Sequence, residues 1–297
     1  MHGGDQNRRS AAANWAPLAR FIVTDERIAQ WAGKRPATTF VYEFVRFGIK
    51  QAWACLFGGA LVGLIIATAL WYPKGAPLGR CDFLFLAAVA IQIAMLAWRL
   101  ETVDEAKVIA LFHVVGTIME IFKTAVGSWI YPDAAIFRIG GVPLFSGFMY
   151  ASIGSYIARS WRLFDFRFAN HPPLWALFLL SIAIYANFFL DHYHVDLRIA
   201  LFGAVAFLFG RTWLYYKIHH RYRRMPLLLG LFLVALFIWL AENFGTITKT
   251  WLYPNQLNGW VMVPFAKLSS WLLLMTISYV LVAWVNRPQA YDPKRDP

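Results

Sequence analysis

Met225-Pro-Leu-Leu-Leu-Gly-Leu-Phe-Leu-Val-Ala-Leu-Phe-Ile-Trp-Leu-Ala-Glu242 carries no charge before its last residue. A bilayer core takes about 20 such residues as one helix, because only a helix or a closed barrel satisfies backbone amides in hydrocarbon. The run ends on an acid, and the turn that follows it has a counterpart elsewhere. Glu242-Asn-Phe244-Gly-Thr246, then Trp251-Leu-Tyr253-Pro254, answers Glu120-Ile-Phe122-Lys-Thr124, then Trp129-Ile-Tyr131-Pro132, with every matched position displaced by 122 residues. Val142-Pro143 and Val263-Pro264 match at a shift of 121, and Ser155-Tyr156 and Ser278-Tyr279 at 123. Self-similarity at a fixed displacement marks a duplicated unit.

Seven further stretches are comparably apolar: Ala52 to Trp71, Asp82 to Trp98, Ala106 to Phe122, Gly141 to Ala158, Pro173 to Leu190, Leu197 to Tyr215, and Trp260 to Trp284. The expected fold is therefore an all-α, polytopic membrane helical bundle of about eight transmembrane helices. Four spans separate the two motifs, so the halves have the same orientation and form a parallel repeat of four plus four. The expected divisions are a basic N-terminal segment over 1–39, repeats over 40–165 and 166–286, and a tail over 287–297. Residues 1–39 lack an apolar run with a small-residue cleavage site, and read as a leader on the membrane surface or in the cytosol.

Composition agrees, with 59% hydrophobic and 15% charged residues across 297. Such a chain is too apolar for a soluble, disordered or collagen-like protein. Of the 28 Lys and Arg, 21 fall before the first span or in alternate loops on the same side, and seven on the other. The positive-inside rule then sets both termini in the cytoplasm of a bacterial inner membrane. The run from Lys217 to Arg224 is read as an anionic-lipid contact, not a nucleic-acid site. Cys55 and Cys81, too few and scattered for a redox pair, are read as core thiols.

Function is sought where lipid makes polarity costly. His113, Gly116, Thr117, Glu120 and Thr124 form one helical stripe, with Lys123 one turn beyond Glu120 as a candidate partner. The second copy keeps Glu242, with Asn243 beside it, and replaces His113 by Ala235. Asn187, Asp191, His192 and His194 end the fifth span. Asp191 joins the candidate acids, and Asn187 the binding residues. His192 and His194, with the acids, offer a ligand set for a divalent metal such as zinc or iron, against the alternative of a hydrogen-bonded or proton-handling loop. Lys267 begins the eighth span, either to pair with Glu242 or to snorkel. No G-x-S-x-G elbow, P-loop, dinucleotide fingerprint or haem motif occurs; the paired glycines are read as helix-packing positions.

The segments Phe112 through Lys123, Gly141 through Tyr150, Asn187 through His194, Met225-Pro226 and Trp239 through Asn243 resemble the family catalogued as domain of unknown function 817, the YoaT-like bacterial membrane proteins. The likeness covers residues 40–285. Gly116-Thr117 with Glu120 and Tyr131 is similar, over a much shorter pattern, to membrane carotenoid hydratases, which implies hydration of an isoprenoid double bond.

Two functions follow as expectations. One is a membrane-embedded enzyme in which Glu120 or Glu242 protonates a lipid or isoprenoid-like substrate, the other acid or His113 activates water, and Trp129, Tyr131, Trp251 and Tyr253 face the developing positive charge. The other is a proton- or cation-coupled carrier of a small molecule, using the same acids and Asp191 as a relay. A structural protein without turnover is the plainest reading, and buried acids weigh against it. The expected partners are membrane lipids and that substrate, with no nucleic acid; the sequence sets no oligomeric state.

Overall fold

The structure, a computed structural model, describes residues 28, 31–32, 35–73, 75–190, 193, 195–219 and 221–294. Contacts divide the chain into two units, Met1–Lys50 and Gln51–Pro297. Pro36, whose fixed φ suits a first helical position, opens helix α1 (Pro36–Ala54), whose residues up to Lys50 belong to the first unit. Phe40, Val41, Phe44, Val45 and Ile49 leave an exposed apolar stripe along it.

The second unit places one helix in each of the eight apolar stretches. These are α2 (Leu56–Trp71), α3 (Arg80–Ala97), α4 (Val103–Ala125), α5 (Phe145–Leu163), α6 (Leu174–Leu190), α7 (Arg198–Phe209), α8 (Leu227–Ile247) and α9 (Ala266–Asn286). Four of them, α3, α4, α8 and α9, are long and apolar enough to cross a membrane singly; α1 and α2 qualify only together, and α6 and α7 are shorter. Large apolar side chains face outward, Phe207 at 87% and Phe237 at 70% exposure, as lipid permits and water does not. These helices suggest a membrane protein.

The chain is mostly helical but not wholly so. Gly140 and Gly141 both take positive φ, as a two-residue type I′ turn requires, and join β1 (Arg138–Ile139) to β2 (Val142–Pro143). The stretch expected as one helix from Leu197 to Tyr215 instead stops at Phe209. After Gly210, Trp213-Leu-Tyr-Tyr-Lys217 forms β4, paired with β5 (Tyr222–Pro226) and with β3 (Arg167–Ala169). Aromatic residues two apart, Trp213 and Tyr215, fit a pleated surface better than a further turn of helix. Phe168 also exchanges backbone hydrogen bonds with Gln289 and Tyr291, so three basic connections expected on one side meet in this sheet.

Two cations assigned to those connections behave differently. Arg159 and Arg162 lie within α5. Arg159 is fully buried and meets Glu101 at 2.6 Å, while Arg162 holds Glu105 at 2.9 Å. Glu105 also closes a capping box with Thr102 at the start of α4. Both arginines therefore compensate acids and are not loop charges. Cys81 is buried as expected, whereas Cys55, at the break between α1 and α2, is exposed.

Candidate functional site

The site is built from the close packing of α4 on α5. A Cβ on Gly116 would fall 2.6 Å from the Tyr150 ring, one on Gly147 would fall 2.5 Å from His113 Nδ1, and one on Gly154 would fall 2.8 Å from Phe112. Small residues thus let the two backbones approach. Gly116 is one turn before Glu120, so the space it leaves admits Tyr150, whose hydroxyl donates to Glu120 Oε1 at 2.7 Å. From the turn after α4, Trp129 Nε1 donates to Oε2 at 2.7 Å and the Tyr131 hydroxyl donates to the same oxygen at 2.5 Å. Glu120 is 3% exposed, and its compensation comes from three uncharged donors.

Glu242, 4% exposed, sits at the matching place on α8. It accepts hydrogen bonds from the Tyr253 hydroxyl and, at 2.6 Å, from Trp271 Nε1 on α9. Tyr131 and Tyr253 are each 11 positions after their acid. Tyr150 and Trp271, 121 apart, are the aromatic donors from the helix that follows each turn. Burial foremost, then the adjoining carboxylate, pushes the Tyr131 and Tyr253 phenols well above their ordinary range, which keeps both as O–H donors.

The two turns meet. Ile130 N–H donates to the Leu252 carbonyl and Leu252 N–H to the Ile130 carbonyl, both at 2.9 Å. Trp129 packs edge-on to Tyr253 at 6.1 Å, and Lys267 Nζ stands 4.6 Å over the Tyr253 ring and 5.9 Å from that of Trp129. Arg80 at the start of α3 braces this end, donating to the Thr248 carbonyl, the Thr250 hydroxyl and the Ile65 carbonyl. Beneath the paired turns lies a cavity of about 340 Å³, within the size range of small-ligand sites.

Of the residues singled out in the sequence, Glu120, Glu242, Lys123, Asn187, Trp129, Tyr131, Trp251, Tyr253 and Lys267 all line this cavity. His113 and Asn243 do not. The His113 ring packs on Phe148 at 4.4 Å, a position held by the α4–α5 contact. Asn243 braces the chain, donating to the Trp239 carbonyl and accepting from Val263 N–H. Asn187 is likewise engaged, with Asp196 and the Leu197 amide. Asp191, His192 and His194 lie outside the described residues. Among the described residues no group of three His, Cys, Asp or Glu comes together as a metal site. Sequence reasoning missed Tyr150, Trp271 and Arg198, which also line the cavity. The shift of 121 at Val142 and Val263 reaches the first two, yet they differ in type, and identity matching passes over them.

Apolar helices around a cavity lined by two acids and a set of aromatic donors define a class: a membrane-type helical protein with a buried polar site. The chain belongs to the family described as "Protein of unknown function (DUF817)", whose model matches residues 43–279. It is 40% identical over 255 residues to "Uncharacterized protein YoaT" of Bacillus subtilis (strain 168), covering 86% of this chain and 96% of that protein. No solved structure matches it.

Proposed function

We propose that this is a multi-pass protein of the bacterial inner membrane, with eight spans in two parallel repeats of four and both termini cytoplasmic, and that its cavity carries out acid–base chemistry on a lipid or isoprenoid-like substrate. The observation that carries the reading is that Glu120 and Glu242, from matched places in the two halves, line one cavity. The reciprocal Ile130–Leu252 pairing supports the repeat, since residues related by one displacement exchange equivalent bonds as across a twofold axis. The gathering of basic connections in one sheet supports a common side for them.

Hydration of an alkene suits two acids. The carboxyl of Glu242, which accepts two hydrogen bonds, gives its proton to one alkene carbon, and the π pair forms the new C–H bond. Water attacks the other carbon and yields its proton to the Glu120 carboxylate, which three donors hold as an acceptor. One water is added, and one proton has passed from Glu242 to Glu120. In this reading the aromatic rings that line the cavity face the developing positive charge. The likeness of Gly116, Thr117, Glu120 and Tyr131 to carotenoid hydratases belongs to this proposal.

The test compares lipid and isoprenoid extracts of cells making the wild type, Glu120→Gln or Glu242→Gln at equal folded levels. A hydrated or isomerised product is expected with the wild type alone, a general acid or base being worth about 10²–10⁴ in rate. Equal product in both variants overturns the mechanism. Proton-dependent flux in proteoliposomes without any product would assign the site to transport.

A further inference from the structure

We propose that the apolar chain of the substrate leaves the main cavity past Tyr150 and Trp271 and lies in a second, apolar slot, so that the site selects a linear chain by its length beyond the reacting bond. The inference rests on the reading of the main cavity as a substrate site and adds the subsite that measures the chain.

The slot is a space of about 30 Å³ that shares Tyr150, Ile153, Ile238, Trp271 and Leu274 with the wall of the main cavity. Beyond these shared residues its wall includes Phe112 and Met119 on α4 and Met275, Ser278 and Leu281 on α9. It leads away from the paired turns. Helix α4 runs toward the Trp129 turn, and Phe112 comes eight residues before Glu120; α9 runs away from the Trp251 turn, and Leu281 comes ten residues after Trp271. At 1.5 Å per helical residue these are depths of about 12 and 15 Å.

The chemistry of the wall names the occupant. The Tyr150 hydroxyl and the Trp271 N–H are given to Glu120 and Glu242, and the Ser278 hydroxyl donates to the Leu274 carbonyl at 3.0 Å. Tyr185 packs its ring on Phe189 at 4.8 Å. The other side chains of the wall are hydrocarbon or thioether, and a space of this kind takes apolar groups in place of water. Met119 and Met275, unbranched and flexible, let it widen around a chain. Because the slot continues the cavity that holds the acids, the chain that suits it is that of the molecule whose double bond lies at those acids.

Tyr150 and Trp271 stand side by side where the two spaces meet, with ring centroids 6.3 Å apart. The rings that hold the two carboxyl groups therefore also border the chain. A chain seated in the slot fixes which of its bonds stands at the acids, so binding of a remote part positions the reacting part.

Prenol, geraniol and farnesol, each with a diazirine on the carbon furthest from the hydroxyl, are irradiated with the protein in lipid nanodiscs, and adducts are mapped by mass spectrometry. The farnesyl probe is expected on slot residues such as Met119, Met275 and Leu281, and the prenyl probe on main-cavity residues such as Leu61. Ser278→Val narrows the slot and should weaken farnesol about tenfold relative to prenol, the scale of an overpacked contact. Leu281→Ala lengthens it and should move the preference toward geranylgeraniol. Comparing proteins in one nanodisc cancels the partition of each alcohol into lipid. Identical adducts from the farnesyl and prenyl probes, farnesyl adducts confined to outward residues such as Phe237, or a farnesol-to-prenol ratio unchanged in both folded variants overturns the proposal. The adduct map needs only the wild type if a variant does not fold. Labelling needs no turnover, so identical adduct maps sink this inference alone, whereas product from both Gln variants sinks the acid–base reading alone.

Discussion

Glu120 and Glu242 occupy matched turns yet are held differently, and the difference traces to a single position. Three residues after Glu120 comes Lys123; three after Glu242 comes Gly245. A Cβ on Gly245 would fall 1.9 Å from Trp251 Cη2, so the indole fills the space that the missing side chain leaves. In the first half Lys123 is itself buried there, and Trp129 turns its Nε1 to Glu120. Glu120 thus has three donors and Glu242 two. The same local sequence pattern yields two unequal acids because one glycine redirects one tryptophan.

Breaking that arrangement should have the largest effect where the packing is tightest. Gly245→Ala puts a methyl group into the Trp251 ring, and the expected loss is about 1–3 kcal/mol, read as a lowered thermal midpoint in detergent. Lys123→Ala has no such clash, so a larger loss there would show that the contrast lies elsewhere.

Removing one phenol hydroxyl from each half gives a finer comparison. Tyr253→Phe leaves Glu242 with Trp271 alone, whereas Tyr131→Phe leaves Glu120 with Trp129 and Tyr150. Loss of a donor to a buried acid costs about 1–3 kcal/mol, and Tyr253→Phe is expected at the upper end with Tyr131→Phe at the lower. Equal midpoints for the two variants would mean that donor number does not set the difference.

The smallest effect concerns the Ser-Tyr pairs further along. The Tyr156 hydroxyl donates to Gln51, whereas Tyr279 meets His171 Nε2 at 2.8 Å. His171 Nδ1 lies 2.7 Å from the Pro172 carbonyl, which can only accept, so Nδ1 carries the proton and Nε2 receives that of Tyr279. Burial holds His171 below its ordinary value, a shift the Pro172 carbonyl opposes. The unfolded chain therefore binds more protons near pH 6 than the folded one. The His171 contribution is full above about pH 6.5 and is lost as pH falls through the lowered folded value. His171→Gln should flatten that decline in thermal midpoint, and an unchanged slope would count against it.

Much of the helical layout was legible because apolarity is a one-dimensional signal. Each of the eight apolar runs holds a helix, but hydropathy did not mark where the helices begin and stop: the Leu197 run turns to strand after Gly210, the Gly141 run opens in the strand Val142–Pro143, and α1 starts well before the first run. The acids and their aromatic turns were legible through repetition. His113 lies off the cavity lining, because a helical stripe says which face a side chain occupies and not whether a neighbouring helix covers it. Glu101 and Arg159 escaped notice for the opposite reason: 58 positions apart, they compensate each other only once α5 lies against the turn before α4.

The sequence by itself determined that the chain would form apolar helices with an acid near the end of two of them, since hydrocarbon-like runs have one economical backbone solution. Only the tertiary structure decided how those acids are tolerated. A buried carboxylate needs donors, and Tyr150 and Trp271 come from the next helix of each half, one through the space opposite Gly116 and the other from α9. That complement depends on which helices touch, a relation that spacing along the chain does not encode.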